Sequence, residues 1–495
     1  MKTWQDVASL YQIYPRSFRD TNGDGIGDLN GITEKLDYLA WLGVDAIWIS
    51  PFFTSPLTDF GYDIADYRAI DPTFGGLDDF RALLERAHIL DIKVMIDLVP
   101  CHTSDQHPWF QEARSSRDNP KRDYYVWRNG RDGNEPNNWR SLSGGSSWEL
   151  DEQTGQFYLH SFLKTQPDLN WDNPAVRDEM KNVVRFWFDM GVDGMRVDAI
   201  WGISKDPEFG DDSPNPDFNG DPEAYGAFIH DHCKMGPHFQ EYLRELASVC
   251  DEYDDKQMVF EFYPDEKLGD IYQQYRRVLT AHPKAAAFFM EYRQDEWHAE
   301  HTGQKIEKYL QAAGSAKPFF CVGNHDQPRI ASRLGTERAR ALHFLNLLTP
   351  GVSVMYYGDE IGMTNGELTA EDIQDNFSPA NSTIDSRDLE RTPMQWDDTR
   401  FAGFSEVKPW LPVNKNRAFI NVSSEKSSPA SMLNLHRALL RLRQEFPIIK
   451  NGTLNIVSSD DTGNGFILGI KRELGRECAY IFINFADAPQ SFSIP

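Results

Sequence analysis

Short apolar runs recur along the chain at 10–14, 46–50, 93–98, 194–198, 258–262, 286–290, 319–322 and 352–357. Each is nearly continuous in Val, Ile, Leu, Phe, Met or Ala and has the length of a strand. Between many of them the pattern changes period. Apolar residues at three- and four-residue spacing mark amphipathic helices at 32–42, 77–90, 175–190, 239–250 and 338–348. Strands without polar alternation are covered on both faces, and alternation with helices makes the sheet parallel. Eight such units predict an α/β fold, a closed (β/α)8 TIM barrel, with a doubly wound open sheet as the competing arrangement.

Two stretches break the rhythm. Residues 103–170, between the third and fourth strands, are polar yet carry recurring Trp, Tyr and Phe. They read as an inserted domain after strand 3. Residues 364–415, after the eighth strand, are also irregular. A last helix at 430–445 precedes alternating segments at 453–458, 465–471 and 478–485. These predict a small C-terminal antiparallel β domain. The expected division is a barrel at 1–102 and 171–447, the insertion at 103–170 and the β domain at 448–495.

Charge narrows the partners. A net charge of −26 disfavours nucleic acid and anionic membranes, because phosphate binding requires clustered Lys and Arg. No apolar run is long enough to cross a bilayer, and the first residues lack the apolar centre of a signal peptide. The five cysteines are scattered and odd in number. That points to a reducing, cytoplasmic compartment rather than a disulfide framework. A monomer or homodimer is expected. Aromatics at 13% serve a large core and supply faces on which sugar rings pack.

In a barrel, chemistry gathers where strands end. The third strand ends at Asp97, with His102 just beyond; the fourth ends at Arg196 and Asp198; the fifth carries Glu261; the seventh leads into His325 and Asp326. A single strand-end acid often caps the next helix. Several acids gathered with Arg and His at one rim favour catalysis. Two carboxyl groups across a glycosidic bond are enough to break it. Asp198 suits the ionised nucleophile because Arg196, two residues earlier, points to the same side of the strand. Glu261, between Phe260 and Phe262, suits the acid. Glu291 is its rival.

Several motifs are more specific. They are YQIYPRSF at 11–18, DLVPCH at 97–102, QPDLNW at 166–171, GMRVDA at 194–199, FEF at 260–262, GNHD at 323–326 and RTPMQWDD at 391–398. In their order and spacing the chain resembles the α-amylase family of glycoside hydrolases, in its α-glucosidase and oligo-1,6-glucosidase branch. The resemblance spans nearly the whole chain.

It implies a retaining, exo-acting enzyme with Asp198 as nucleophile, Glu261 as acid/base and Asp326 as transition-state stabiliser. Tyr62 would be the platform under the sugar and Asp63 the acceptor for its distal hydroxyls. Arg391 would pair with Asp63 and close the pocket. His102, Arg196 and His325 would hold the sugar and the nucleophile, while Phe162 and Gln166 would line the pocket from the insertion. Two departures stand out: Cys101 replaces the family's usual Asn before His102, and the fifth-strand motif reads FEFYP. Ala199, where α-1,6-specific relatives carry Val, implies α-1,4-linked maltose and short malto-oligosaccharides.

The alternatives are an oligo-1,6-glucosidase, a sucrose hydrolase, a trehalose/maltose isomerase and a transglucosylase. A phosphorylated disaccharide would need Lys205 and Lys234 beside an acidic loop at 206–223. A non-catalytic transporter-associated scaffold would be expected to have lost the acids that are present here.

Residues 20–28 read DTNGDGIGD. Oxygen donors at alternating positions suit a hard cation, although the EF-hand pattern fails at Gly31 and an ion-free turn reads the same way. The resemblance implies structural Ca2+, with Mg2+ as a variant, held by Asp20, Asn22, Asp24, the carbonyl of Ile26, and Asp28. His107, His160, His230, His232 and His301 read as surface or core residues; for His230 and His232, which lie in an acidic region, shaping the acceptor side is the alternative.

Overall fold

The computed structural model describes residues 2–291, 297–377, 386–457 and 463–492. Eight strands close into a parallel barrel: β1 (Ser9–Ile13), β2 (Ala46–Ile49), β3 (Lys93–Leu98), β4 (Gly194–Val197), β5 (Gln257–Phe260), β6 (Ala285–Phe289), β7 (Phe319–Cys321) and β8 (Val352–Tyr356). Each pairs with its neighbours in sequence, and β8 returns to β1. Every residue of these strands is buried, as unbroken apolar runs require. The helices that follow them are α1 (Leu29–Leu42), α2 (Leu77–Ile89), α3 (Pro174–Met190), α4 (Phe239–Ala247), α5 (Ile271–Leu279), α6 (Ala299–Ala313), α7 (Thr336–Leu348) and α8 (Met432–Glu445).

Local chemistry sets the helix ends. Asp28 caps α1 by accepting from the Gly31 N–H, and Gly43 ends that helix in the left-handed region at φ 100°. Asn173 caps α3, with Pro174 in its first turn, and Gly191 ends it at φ 113°. Trp48, Met95, Val259, Phe288, Phe319 and Val354 fill the barrel interior. The much larger apolar layer between barrel and helices includes Leu36, Leu83, Val184 and Leu243.

Register positions the acids. Asp97 on β3 lies opposite Arg196 on β4, and Val197 lies opposite Phe260 on β5. The ladder runs one residue further, because the Asp198 N–H donates to Leu98 O and the Glu261 N–H to Val197 O, both at 2.8 Å. Asp198 and Glu261 therefore leave adjacent strands at the same height.

Residues 103–170 form a helix (Pro108–Ser115) and a small antiparallel sheet in which Gln156–Leu159 lies between Trp127–Arg128 and Trp148–Asp151. Phe110, Tyr125, Trp127 and Tyr158 pack ring on ring beneath it. The Leu169 N–H on Cys101 O and the Trp171 indole on Pro100 O tie its end to the barrel. Cys101 is buried, and its sulfur fills the space a side chain at position 202 would need.

At the C-terminal end, β9 (Thr453–Val457), β10 (Ile467–Leu474) and β11 (Glu477–Asn484) form an antiparallel sheet. The last position of the expected 453–458 strand lies outside the described residues. Gly303 lets α6 approach this sheet, since a Cβ there would meet Leu468 at 3.0 Å and Ile456 at 3.2 Å. Arg472 of β10 is fully buried and donates to the carbonyls of Leu348, Gly452 and Thr453. Arg443 of α8 does the same for Leu347, Thr349 and Gly351. Two guanidiniums thus satisfy the carbonyls at the end of α7, which no helix can satisfy internally.

Candidate active site

At the C-terminal rim of the barrel lies a cavity of about 550 Å³, walled by Tyr62, His102, Phe162, Asp198, Ala199 and Glu261 among others. Asp326 and Arg387 face them across it. Beneath its floor lies Arg196, wholly buried, which holds three carboxylates. Nη1 lies 2.9 Å from Asp97 and 2.6 Å from Asp198, and Nη2 lies 2.6 Å from Glu261. The two expected catalytic acids therefore meet on one guanidinium. Ala199 sits in the left-handed region at φ 44°, and that turn aims its N–H at the second oxygen of Glu261, 3.2 Å away.

One cation beside three buried acids leaves a deficit of positive charge. Burial pushes the Asp97 carboxyl up to about 7, with Glu261 adding to the effect and Arg196 opposing it. Burial also raises Asp198, and Glu261 and Asp97 reinforce the shift against the pull of Arg196. Arg196 therefore opposes, without cancelling, the rise that burial imposes on Asp198.

The opposite wall is built differently. Asp326 accepts from Arg391 at 2.8 Å and Arg387 at 3.3 Å. Burial acts to raise it, but His325 and the two guanidiniums prevail and hold it below the ordinary carboxylate range. Arg387 also meets Asp59 and Asp375, each at 2.7 Å. Asp375 is likewise held down: burial is opposed by the hydrogen bonds and charge of Arg387.

A relay of rings joins the walls. Gln12 donates to Nδ1 of His325 at 2.7 Å, which leaves Nε2–H for the Tyr62 hydroxyl at 2.7 Å. That hydroxyl in turn donates to Asp97 at 3.2 Å. The Tyr62 and His325 rings are parallel within 2°. Burial lowers His325 well below its ordinary value, against the pull of Asp326. His102 donates to the Tyr62 carbonyl at 3.1 Å and packs 4.9 Å from the ring of Phe162.

Five of the expected residues stand behind the cavity wall: Asp63, Gln166, Arg196, His325 and Arg391. One expected pairing fails. Asp63 is fully buried and accepts from Ser55 Oγ, Thr58 N–H and Asp59 N–H, so it braces the 55–59 loop. Arg391 goes to Asp326 and to the His325 carbonyl instead. The pair that closes this side is Asp59 with Arg387, and Gln166 holds the other oxygen of Asp59 at 2.9 Å. Both residues were visible in TDFGYD and SRDLER, each four positions before the one chosen. Trp201, Tyr225, Lys234, Tyr263 and Phe377, which also line the cavity, were not anticipated as such. Glu291, the rival acid, is approached by the Tyr275 hydroxyl at 3.3 Å and does not line the cavity.

Away from the cavity, the 20–28 loop turns Asp20 and Asp28 inward and leaves Asn22 and Asp24 exposed. Asp20 accepts from the N–H groups of Gly23 and Gly25 and from Ser405 Oγ; Asp24 accepts from Ile26 N–H; Asp28 accepts from Thr21 and Gly31. Asn22 and Asp24 bond each other. The donors on offer are all oxygens, a set that fits a hard cation.

A family model for the α-amylase catalytic domain matches residues 12–452. The oligo-1,6-glucosidase of Parageobacillus thermoglucosidasius is 40% identical, over all of this chain and 92% of that protein. A probable α-glucosidase of Rhizobium meliloti is 39% identical, over all of this chain and 91% of that protein. Among solved structures, the α-glucosyl transfer enzyme XgtA superposes with a TM-score of 0.91 at 38% identity, covering 98% of this chain and 92% of that one.

Proposed function

The chain belongs to the α-amylase family of glycoside hydrolases, as an α-glucosidase-like enzyme, and from that premise we propose that it is a retaining, exo-acting α-glucosidase of maltose and short malto-oligosaccharides. The observation that carries the reading is the common guanidinium. Arg196 holds Asp198 and Glu261 side by side at the cavity floor. Retention requires two closely spaced carboxyl groups, one to attack and one to protonate.

In the first half-reaction Glu261 gives its proton to the glycosidic oxygen as the bond to the anomeric carbon breaks. Asp198, with one oxygen fixed by Arg196, forms the new bond to that carbon. Asp326, ionised between Arg387 and Arg391, stabilises the positive charge of the sugar ring and grips its hydroxyls. Glu261 then takes a proton from water, or from a second sugar's hydroxyl, whose oxygen displaces Asp198. The paired Asp59 and Arg387 support exo action, since they wall the far side of the cavity.

The α-1,4 preference rests on Ala199. A β-branched residue in its left-handed backbone would be strained, so a small side chain suits both the turn and the space beside the leaving sugar. Glucosyl transfer is the second reading. It is supported by the aromatic cavity wall of Trp201, Tyr225 and Phe377 and by the likeness to a glucosyl transfer enzyme. Asp20, Asn22, Asp24, the Ile26 carbonyl and Asp28 would hold Ca2+, or Mg2+ in its place, as a structural ion beneath α1. Free cysteines and the absence, among the described residues, of a helix long and apolar enough to cross a membrane are compatible with a cytoplasmic monomer or homodimer.

The test is a panel of maltose, isomaltose, sucrose, trehalose and p-nitrophenyl α-glucoside, with products followed by NMR. We expect maltose to be turned over fastest and α-glucose to appear first. Initial release of β-glucose from p-nitrophenyl α-glucoside, whose leaving group has no anomeric carbon, would refute retention, and faster isomaltose cleavage would refute the linkage assignment.

A further inference from the structure

The long loop between β4 and α4 holds a second cluster, distinct from the catalytic acids. Asp212, His230 and Cys233 are all buried, at 2%, 3% and 8% exposure. Their ligating atoms lie within 4.8 Å of one another. Nδ1 of His230 is 3.4 Å from Oδ2 of Asp212 and 3.6 Å from Sγ of Cys233. Tetrahedral zinc with ordinary bond lengths requires N···O and N···S edges of about 3.4 and 3.6 Å.

The surroundings orient each group. Nε2 of His230 donates to the Tyr225 carbonyl at 2.9 Å, which leaves the Nδ1 lone pair facing the other two residues. A histidine held through its far nitrogen by a carbonyl is the usual outer shell of a metal ligand. Oδ1 of Asp212 accepts from the N–H groups of His232 and Cys233 at 2.8 and 3.2 Å. Its Oδ2 is buried between the His230 ring and the Cys233 thiol without a well-formed hydrogen bond, a costly place for a carboxylate oxygen. His230 takes its place with a left-handed backbone, φ 63°, a strain for a residue that is not glycine.

We propose that Asp212, His230 and Cys233 bind a zinc-class divalent ion. Thiolate, imidazole and carboxylate suit a borderline-soft metal, whereas calcium selects oxygen. On binding, the thiol proton of Cys233 goes to solvent and the sulfur lone pair goes to the metal. Asp212 and His230 give lone pairs, and no electron is transferred. The ion then carries one thiolate and one carboxylate, so the buried charges cancel.

The ion fastens residue 212 to residues 230–233 across the loop. Tyr225 stacks on His230 with ring centres 3.8 Å apart, and Lys234 lies 5.1 Å from the Tyr225 ring. Both line the catalytic cavity. The site therefore sets the wall that faces an incoming sugar acceptor without touching the reacting atoms.

The experiment strips the full chain with a chelator, reloads it with zinc or cobalt chloride and removes the excess. We expect one equivalent of zinc by mass spectrometry, a higher melting temperature, and a thiolate-to-cobalt charge-transfer band in the cobalt form. Asp212→Asn, which keeps the Oδ1 hydrogen bonds, and Cys233→Ser should each lose the bound metal. Excess calcium should leave the cobalt band in place. No stoichiometric zinc, a cobalt form without the thiolate band, or full retention of metal by Cys233→Ser would each overturn the assignment.

Discussion

Two arginines, one beneath the cavity and one in its wall, each gather three carboxylates, yet acids of the two sets shift in opposite directions. Arg196 serves Asp97, Asp198 and Glu261 alone, with no exposure of its own. Arg387 serves Asp59, Asp375 and Asp326 with Arg391 as a second cation, and it is partly exposed. On the floor Asp97 and Asp198 rise, while on the wall Asp326 and Asp375 fall. The number of acids is the same. On the wall His325, Arg387 and Arg391 together outweigh the burial of Asp326, while beneath the floor Arg196 opposes burial against the added charge of neighbouring acids.

The largest effect should come from the floor's own chemistry. Asp198→Asn and Glu261→Gln are each expected to cut maltose turnover by about 10⁴-fold or more with the fold retained. Circular dichroism checks the fold and coupled glucose assay the rate; near-normal activity in Asp198→Asn would contradict its role.

The second effect separates the two arginines. Arg196→Met strands buried carboxylates and should cost about 3–5 kcal/mol of stability. Arg387→Met leaves Asp326 with Arg391, so urea melts should show a smaller loss, about 1–3 kcal/mol. Equal losses would erase the contrast.

The smallest effect is in pH dependence. Asp97 keeps in the folded state a proton that the unfolded chain releases near 3.8. Its contribution is full below that pH and is lost as pH rises towards about 7. Asp326 and Asp375 contribute above their ordinary 3.8 and lose it as pH falls below that value. Asp97→Asn should therefore flatten the decline in stability between about pH 4 and 7 in urea melts and leave the acid limb unchanged. An unaltered slope would remove Asp97 as the proton holder.

The sequence made the floor legible and the wall only in part. Asp97, Arg196, Asp198 and Glu261 sit at or just past strand ends, where apolar periodicity fixes height and side. The wall comes from loops, where no period applies. Leu57 and Phe60 adopt left-handed φ of 61° and 46°, and the turns they make face Asp59 to Arg387 while folding Asp63 inward. Nothing in the spacing of TDFGYD distinguishes those two acids. The Asp212, His230 and Cys233 cluster was hidden for the same reason. A loop, rather than a short motif, closes the gap between Asp212 and His230, and His230 alone reads as an ordinary core residue. The barrel itself was readable because eight buried strands leave no room for polar alternation.

Arg472 has a consequence for how freely this architecture can be recombined. Its guanidinium comes from the terminal sheet, but one of the carbonyls it satisfies, that of Leu348, belongs to the barrel's own helix. A chimera that swapped the sheet for a foreign module of equal shape would inherit an orphaned acceptor under the seam. Successful grafts onto this scaffold would have to bring a cation to that spot.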